Sequence, residues 1–347
     1  MNTFGRIFRV SVFGESHGRG VGAVIDGVRP GLPLSVGDFS ADIARRAPGA
    51  FGTTARREED IPEILSGVYN GRTTGAPLTI LFVNRDTDSS DYEQFKDIPR
   101  PGHADYAASV KWMDFNDPAG SGHFSGRLTL PIVAAGVVAK KMLIASVSAR
   151  LEEVGGVARE DVGQEALPDG GIRETSCDAE LWHDVLAAAQ ADGDSVGGIV
   201  SCTVTGLPAG LGEPFFDSVE SLISHAVFSI PGVRGIEFGD GFRAAAMRGS
   251  RHNDPFEQVG PGSSALPVKN GAGGINGGLS NGCPIKFRVA FKPTSSIAKA
   301  QQTFNFTEGK MTSLRIGGRH DVCFALRTPV IVEAMTAIVL ADLTAML

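Results

Sequence analysis

The feature that most constrains the fold of this sequence is an internal repeat, because segments of the first half recur in the second half in the same order. The clearest match needs no gap and places residues 67–89 (GVYNGRTTGAPLTILFVNRDTDS) over residues 274–296 (GINGGLSNGCPIKFRVAFKPTSS). Each member has the pattern of a strand, a glycine-rich turn and a second strand, which is typical of a hairpin. Chance similarity between glycine-rich hairpins is the alternative for any single match, but a shared order across several matches favours duplication.

Other segments recur together with the hairpin. They are an apolar strand before a Gly/Pro turn, a short capped helix stopped by Pro-Gly, and a longer helix with proline near its first turn. In that order, they lie at 21–33 and 196–212, at 35–49 and 217–232, and at 127–143 and 327–343.

These matches predict an α+β fold built from internally duplicated βαββα-like halves. The halves are about 1–149 and 195–347, within a single domain that spans 1–347. The segment of about 150–194 matches nothing in the other half, is acidic and polar, and is predicted to be a connecting excursion. Since the long helices are apolar on most faces, each needs cover on more than one side. A helical layer sandwiched between two antiparallel β-sheets would provide that cover.

Composition excludes several functional classes. The chain has 347 residues, of which 42% are hydrophobic and 20% charged, and a net charge of -7, which is typical of a soluble globular protein and gives no basic field for nucleic acid. Charged residues interrupt the longest apolar stretches, so no membrane span is expected. The cysteines lack metal-binding spacing and no secretory leader is seen, so a cytoplasmic protein without a metal is expected. Signatures of P-loop, Rossmann, zinc protease and serine hydrolase sites are missing.

Histidines in turn-rich surroundings are candidates for acid–base chemistry. His17 in GESHG, His103 in RPGHAD and His320 in GRHD each lie close to glycine and an acid. Such surroundings can hold an imidazole near neutrality against an anionic ligand, although any single histidine can equally be a surface or core residue. Histidines without this context are interpreted as surface or packing residues: His183, His252 and His225.

Arginines are clustered although the chain is acidic, which indicates anion binding. The cluster at 45–57 contains Arg45, Arg46, Arg56 and Arg57. Guanidinium groups bind phosphate and carboxylate bidentately and stay charged at neutral pH. The alternative is a solvated surface, since acids follow directly, but Arg46 beside a predicted helix end favours anion binding. Further candidates are Arg100 in RPGHAD and Arg319 in GGRHD.

Two polar stretches suit a phosphate or a ring cofactor. KPTSS (292–296) offers a cation and several hydroxyls directly after a predicted strand, and is either a polar turn before a helix cap or a ligand cradle. NGAGGINGGLSNG (270–282) offers many backbone N–H groups without intervening side chains, which suits close approach to a flat or anionic ligand.

These motifs resemble those of the chorismate synthase family nearly end to end. FGESHG, RPGHADY, KPTSSI and GRHD occur in the family's order, together with ILSGVYNGRTTGAP, SIPGVRGIEFGDGF and EAMTAIVLADL. The resemblance implies the helical layer between two sheets and a homotetramer. It also implies anti 1,4-elimination of phosphate from 5-enolpyruvylshikimate 3-phosphate to give chorismate, the last step of the shikimate pathway, with reduced FMN.

The resemblance also implies roles for single residues. His17 would protonate the leaving phosphate, His103 would protonate or stabilise the reduced flavin, and Asp321 would work with flavin N5 in removing the ring proton. Flavin binding is implied for His123, Phe124, Ser125, Gly277, Lys292, Pro293, Thr294, Ser295, Ser296 and Arg319. Substrate binding is implied for Ser16, Arg46, Arg127 and Arg327.

The chain departs from the common family pattern at a few positions. His123 replaces an arginine and Leu128 a glutamate, so a positive charge expected near the flavin becomes dependent on pH. Val322 stands where proline is usual. A non-catalytic anion-binding protein is one alternative, disfavoured by the intact His17, His103 and Asp321. A flavin oxidoreductase is another, disfavoured by the missing nicotinamide fingerprint. Reduction of FMN by NAD(P)H in this chain or by a separate flavin reductase stays open.

Overall fold

The computed structural model describes residues 2–54, 58–85, 87, 92–159, 181–258, 265–318 and 320–346. Within this part of the chain, no helix has the length and apolar character needed to cross a bilayer.

The first sheet is built from the N-terminal part of the chain. Its strands are β1 (Thr3–Phe4), β2 (Arg9–Gly14), β3 (Gly20–Asp26), β4 (Glu63–Ser66) and β7 (Leu78–Val83). They are antiparallel in the order β1-β2-β3-β7-β4. Residues of β7 alternate between buried and less buried positions, which gives the sheet one core face. A small hairpin of β5 (Val68–Tyr69) and β6 (Arg72–Thr73) precedes β7.

The second sheet is also antiparallel. Its strands are β8 (Ser146–Val154), β9 (Val157–Ala158), β10 (Gly198–Thr205), β11 (Val233–Phe238) and β16 (Ile285–Phe291). They follow the order β11-β16-β10-β8-β9. Smaller hairpins pair β12 (Phe256–Gln258) with β13 (Ala265–Pro267), β14 (Ile275–Asn276) with β15 (Leu279–Ser280), and β17 (Gln301–Asn305) with β18 (Lys310–Leu314).

Two long helices lie between the sheets. The α-helices of the described chain are α1 (Ser40–Arg46), α2 (Asp105–Trp112), α3 (Thr129–Met142), α4 (His183–Ala191), α5 (Val219–Val227), α6 (Gly249–His252) and α7 (Pro329–Ala345). Helix α3 contacts β3 and β7, α7 contacts β8 and β10, and the two helices pack on each other. Both are buried on nearly all sides, as their apolar sequences require. The predicted α+β class with antiparallel sheets is confirmed.

Part of the predicted excursion belongs to the second sheet. Residues 150–154 lie in β8, which pairs with β10 along its length. The alternation of SVSARLEEV (146–154) explains this position, because a strand with one buried face needs period-two patterning. Helix α4 also falls in this segment, while residues 160–180 lie outside the described part of the chain.

Helix α7 carries two buried carboxylates that bind distant segments. Glu333 accepts hydrogen bonds from both Nη atoms of Arg45 at 2.8 Å, from Lys140 Nζ at 2.7 Å and from the backbone N–H of Ala149 at 2.9 Å. It thereby links α1, α3 and β8 to α7. Because the group is buried, these partners are what make its charge tolerable.

The second carboxylate, Asp342, holds the start of the chain. It accepts the backbone N–H groups of Arg6, Ile7 and Phe8 at 2.7 to 2.9 Å. These groups lie in the turn between β1 and β2, where no strand neighbour satisfies them, so a buried side chain does.

Candidate active site

A cavity of about 490 Å³ is lined by residues from loops at the ends of the sheets and helices. Its walls come from the turn after β2, the end of α1, the loops before α2, α3 and α7, the start of β11 and the loop after β16. Loops held by rigid elements are the usual place for binding groups in a protein of this kind.

The GESHG turn forms one wall. Gly14 closes β2 with a φ of +95°, and a Cβ there would lie 2.2 Å from the carbonyl oxygen of Gly20, so only glycine fits. Ser16 is 1% exposed, and its backbone N–H donates to Gly122 O at 3.1 Å. Its Oγ has no hydrogen-bond partner among the described residues, although the residue lines the cavity.

His17 touches the wall but is not among the residues that line the cavity. Its ring packs edge-on against Tyr92, with centroids 5.3 Å apart. It also lies against Gly120, where a Cβ would come within 2.3 Å of the ring. Gly120 has a φ of +58°. Tyr92 and Gly120 both line the cavity, so His17 contacts the site through them.

The RPGHAD motif places an imidazole, a carboxylate and a guanidinium together. Nδ1 of His103 lies 2.6 Å from Oδ1 of Asp105, and Arg100 binds the same carboxylate through Nε at 2.8 Å and Nη2 at 2.7 Å. Arg100 Nη2 also lies 3.0 Å from His103 Nδ1. A guanidinium and an N–H cannot both donate to each other, so the shorter contact to Asp105 identifies Nδ1 as the protonated nitrogen. His103 therefore has Nε2 as its remaining acceptor when it is neutral.

Opposing effects set the pKa of His103. Burial lowers it, the hydrogen bond to Asp105 raises it, and the charge of Arg100 lowers it, so that it lies below its ordinary value. The pKa of Asp105 is held well below its usual range: burial raises it, but its bonds to Arg100 and His103 outweigh burial. In the unliganded protein near neutral pH, the imidazole is mainly uncharged.

The KPTSS loop is tied to the same turn. Lys292 Nζ donates to Gly102 O and, at 2.6 Å, to Ser295 Oγ, which donates to Gly102 O at 2.8 Å. Ser296 Oγ accepts from Arg100 Nη1 at 3.1 Å. Thr294 Oγ1 is buried without a hydrogen-bond partner among the described residues. The loop thus presents a cation and an unsatisfied hydroxyl on a rigid support.

Two buried arginines share one acid at another wall. Asp60 accepts from Arg127 Nη1 at 2.7 Å and from Arg46 Nη1 at 3.4 Å. Arg127 also donates to Asn84 Oδ1 at 2.7 Å and to Glu58 at 3.3 Å. Burial, followed by the charge of Arg327, lowers the pKa of Arg46 to about 9, although Asp60 opposes the shift. This guanidinium is therefore poorly compensated, and a bound anion would stabilise its charge.

Asp321 and Arg327 form a further pair. Arg327 Nη2 donates to Asp321 Oδ2 at 2.6 Å, and the backbone N–H of Thr54 donates to Asp321 Oδ1 at 2.9 Å. Both side chains are about nine-tenths buried. Arg327 Nε is buried and has no hydrogen-bond partner among the described residues. The carboxylate is oriented on both oxygens, while the guanidinium keeps a donor for a ligand.

Cations outnumber acids around the cavity, although the chain carries a net charge of -7. The lining cations are Arg46, Arg100, Arg127, Arg234, Lys292 and Arg327. The lining carboxylates are Glu58, Asp60 and Asp321. Such a focused positive field suits a ligand with several negative charges.

Most residues singled out in the sequence meet at this cavity. Those that line it are Ser16, Arg46, Arg100, His103, Phe124, Ser125, Arg127, Lys292, Pro293, Thr294, Ser295, Ser296, His320, Asp321 and Arg327. Arg319 lies outside the described residues, as do Arg56 and Arg57.

His123 and Gly277 are placed elsewhere. His123 has Nδ1 3.0 Å from Gly14 O and Nε2 3.2 Å from Asn2 Oδ1, so both ring nitrogens are engaged at the edge of the first sheet. Gly277 lies in the turn between β14 and β15, which contributes nothing to the described cavity wall. Neither residue is among those that line the cavity in the described part of the chain.

The structure adds residues that sequence reasoning did not assign. Asp105 belongs to RPGHAD and Arg234 belongs to SIPGVRGIEFGDGF, so each lay within a recognised motif. For Tyr92 and Asp60, no recognised motif in the sequence indicated a place in the site. Spacing to His103 was the one available indication for Asp105, because a carboxylate two residues away can reach a ring nitrogen in a tight turn.

Comparisons with known proteins all indicate the same family. The chorismate synthase family model matches residues 8–345. A chorismate synthase from Chitinophaga pinensis is 55% identical over 344 residues, which is 99% of this chain and 96% of the relative. One from Korarchaeum cryptofilum is 45% identical over 348 residues, covering 98% and 96%. A crystal structure of chorismate synthase has a TM-score of 0.74 at 27% identity, covering 98% of this chain and 92% of that chain.

Proposed function

The chain belongs to the chorismate synthase family, lyases that catalyse the last step of the shikimate pathway, and on that premise we propose how its residues perform the reaction. The proposed reaction is an anti 1,4-elimination of phosphate from 5-enolpyruvylshikimate 3-phosphate that requires reduced FMN. The observation that carries the proposal is the positively charged cavity, which His103 and Asp321 line together and His17 reaches through Tyr92 and Gly120.

We also propose the finer features of the fold and assembly. Strands β3 and β10, each at the centre of its sheet, are equivalent members of a duplicated pair of halves, as are α3 and α7. The protein is proposed to be a cytoplasmic homotetramer. Its flavin is proposed to be reduced with NAD(P)H, by the chain itself or by a separate flavin reductase.

The residues of the cavity fit a flavin mononucleotide. The unsatisfied Oγ1 of Thr294 and the donors of Lys292 suit the polar edge of a ring or a phosphate. Phe124 gives an apolar surface in the same cavity, as a ring system needs. Residues 292–296, with Phe124 and Ser125, are proposed to hold the cofactor. When bound, reduced FMN would supply transient electron donation that assists cleavage of the ring C–H and C–O bonds.

The arginines are proposed to bind the substrate's anionic groups. Arg46 and Arg327 approach closely enough for the charge of one to lower the pKa of the other, so an anion between them relieves their repulsion. Arg127 completes this wall, and the free Oγ of Ser16 can hydrogen-bond to the substrate. Leaving phosphate gains negative charge as its bond breaks, and fixed cations stabilise it.

Proton transfers are proposed for three side chains. His17 gives a proton to the leaving phosphate oxygen, which leaves poorly without one. Asp321, whose oxygens accept hydrogen bonds from Arg327 and the backbone of Thr54, takes part in removing the ring proton. His103 directs Nε2 to the cofactor and gains a proton there when an anionic ring raises its pKa.

Anaerobic phosphate release with photoreduced FMN tests the proposed function. We expect turnover that is catalytic in reduced flavin, with no net consumption of reductant. Consumption of reductant in proportion to product would instead identify an oxidoreductase. His17→Ala is expected to slow turnover at least 100-fold, on the order of a lost general acid, while substrate still binds. Unchanged turnover would remove His17 from the mechanism.

A further inference from the structure

A β-bulge places Arg234 at the cavity wall. Val233 pairs with Phe291 and Gly235 pairs with Ala290, so Arg234 is the extra residue of β11 and has no partner opposite it on β16. Bulges turn a side chain out of the regular alternation of a strand and are common beside binding sites. Arg234 is exposed and lines the cavity, and its guanidinium makes no hydrogen bond or ion pair with any described residue.

Lys292 lies next to this bulge. Its backbone N–H donates to Gly232 O at 2.8 Å, which brings the end of β16 beside the start of β11. Its ammonium group has three donors, and Gly102 O and Ser295 Oγ accept two of them. Burial, and then the charge of Arg234, lower the pKa of Lys292, so the two cations are close enough to repel each other.

These two cations have no carboxylate partner in the described chain, unlike the other cations of the cavity. The paired ones are Arg46 and Arg127 with Asp60, Arg100 with Asp105, and Arg327 with Asp321. Adjacent like charges without a counter-ion destabilise the protein unless a ligand supplies the negative charge. The unsatisfied hydroxyl of Thr294 lies in the same loop as Lys292 and adds a donor.

We propose that Arg234 and Lys292 form a subsite for the dianion of a phosphate monoester. Two cations match two negative charges, whereas a carboxylate would leave one of them uncompensated. The planar donors of Arg234 and the remaining donor of Lys292 suit phosphate oxygens. This subsite rests on the proposed function only for the identity of its ligand. The two candidates are the ribityl phosphate of FMN and the phosphate of the substrate.

Flavin titrations test the subsite without any turnover. Oxidised FMN and riboflavin, which differ by the phosphate, are titrated into the wild type, Arg234→Gln, Arg234→Lys and Arg29→Gln, with flavin fluorescence as the readout. Arg29 is exposed, makes no side-chain bond in the described chain and does not line the cavity, so its variant controls for the lost charge. A circular dichroism melt checks that each variant folds.

We expect Arg234→Gln to weaken FMN about 10- to 100-fold and to leave riboflavin unchanged, on the order of one lost charge-assisted contact. The FMN affinity of Arg234→Lys should lie between those of the wild type and Arg234→Gln. The FMN affinity of Arg29→Gln should match that of the wild type. If the substrate is the source of the phosphate, FMN affinity stays constant while binding of 5-enolpyruvylshikimate 3-phosphate weakens by the same factor.

Two results overturn the subsite. One is unchanged affinity of Arg234→Gln for both phosphate monoesters. The other is an equal loss for FMN and riboflavin, which would place Arg234 against the ring. Since oxidised flavin binding needs no reaction, failure of the proposed elimination would leave these measurements interpretable.

Discussion

His103 and Asp105 form an imidazole–carboxylate pair, with Nδ1 and Oδ1 2.6 Å apart and Arg100 bound to the same carboxylate. The pair fixes the tautomer of the imidazole, so that Nε2 is the nitrogen left for a ligand. Asp105 thereby positions His103 without itself being placed at the reacting atoms.

Asp105→Asn should move the pH dependence of turnover. An amide stabilises an imidazolium less than a carboxylate does, and Arg100 loses its counter-ion, so the pKa of His103 falls further below its ordinary value. A step that needs protonated His103 is lost as pH rises through that pKa, so the alkaline limb of kcat shifts to lower pH. The pH profile of kcat and an NMR titration of the His103 ring measure the shift. Asp26→Asn, which removes an exposed ion pair with Arg9, should leave the profile in place. An unmoved limb in Asp105→Asn would contradict the positioning role.

Gly120→Ala should impair turnover more than it impairs folding. The added Cβ would lie 2.3 Å from Cδ2 of His17, so the ring must move. The matched control is Gly71→Ala, which has a similar φ of +71° but no atom within 4 Å of the new methyl group. Both variants carry a backbone cost of about 1 kcal/mol, measurable by urea unfolding. We expect at least a tenfold loss of kcat, on the order of a misplaced catalytic group, in Gly120→Ala alone. Equal activity in the two variants would show that the position of His17 is unimportant.

Glu333→Gln should destabilise the protein and make its free energy of unfolding depend less on pH in the acidic range. Burial raises the pKa of Glu333, but hydrogen bonds and charge from Arg45 and Lys140 outweigh it and lower the pKa below its ordinary value. The resulting stability is present above the ordinary carboxyl pKa and is lost as pH falls through the folded value. We expect a loss of about 2 kcal/mol at neutral pH, less than for a fully buried pair, because Arg45 and Lys140 are partly exposed.

Urea midpoints at neutral and acidic pH measure this change. The difference between Glu333→Gln and the wild type should shrink as the solution becomes acidic. Glu59→Gln is the control, since the Glu59 side chain is 71% exposed and its pair with Arg85 adds little. A constant difference at all pH values would mean that the charge of Glu333 does not matter to stability.

Gly136→Ala should destabilise the contact between α3 and α7. A Cβ at Gly136 would lie 2.3 Å from Ala334 Cβ and 2.5 Å from its Cα, so the helices must separate. Overpacking of this kind costs roughly 1–3 kcal/mol, which outweighs the gain of about 1 kcal/mol in helix propensity. Gly249→Ala, with nothing within 4 Å of the new methyl group, should gain stability or stay neutral. Thermal and urea unfolding measure both; a stabilised Gly136→Ala would refute the close contact.

Local patterning predicted the secondary structure well, because its causes are local. The alternation in β7 and the apolar helix at 129–142 reflect burial of one strand face and of a whole helix, respectively. The segment of about 150–194 is predicted as a connecting excursion because it matches nothing in the other half, and such a failure is no evidence about conformation. The alternation of residues 150–154 is the local signal that indicates their strand.

The sequence motifs identified many of the cavity residues but did not indicate how these residues are arranged in space. Asp60 reaches Arg46 and Arg127 only through tertiary folding, and no spacing in the sequence indicates it. Arg234 points to the cavity because of a bulge, which depends on the register with β16. The resemblance implied His123 as a flavin-binding residue, but its motif did not indicate that the ring nitrogens contact Gly14 and Asn2.

The bonds from Asp342 to the backbone of residues 6–8 join groups that are up to 336 positions apart in the chain. During translation, at roughly 5–20 residues per second, the N-terminal turn therefore waits tens of seconds for its acceptor to be synthesised. Until then its amides must remain bound to water or be shielded by a chaperone. The first sheet to leave the ribosome is thus among the last parts of the molecule to become fully bonded.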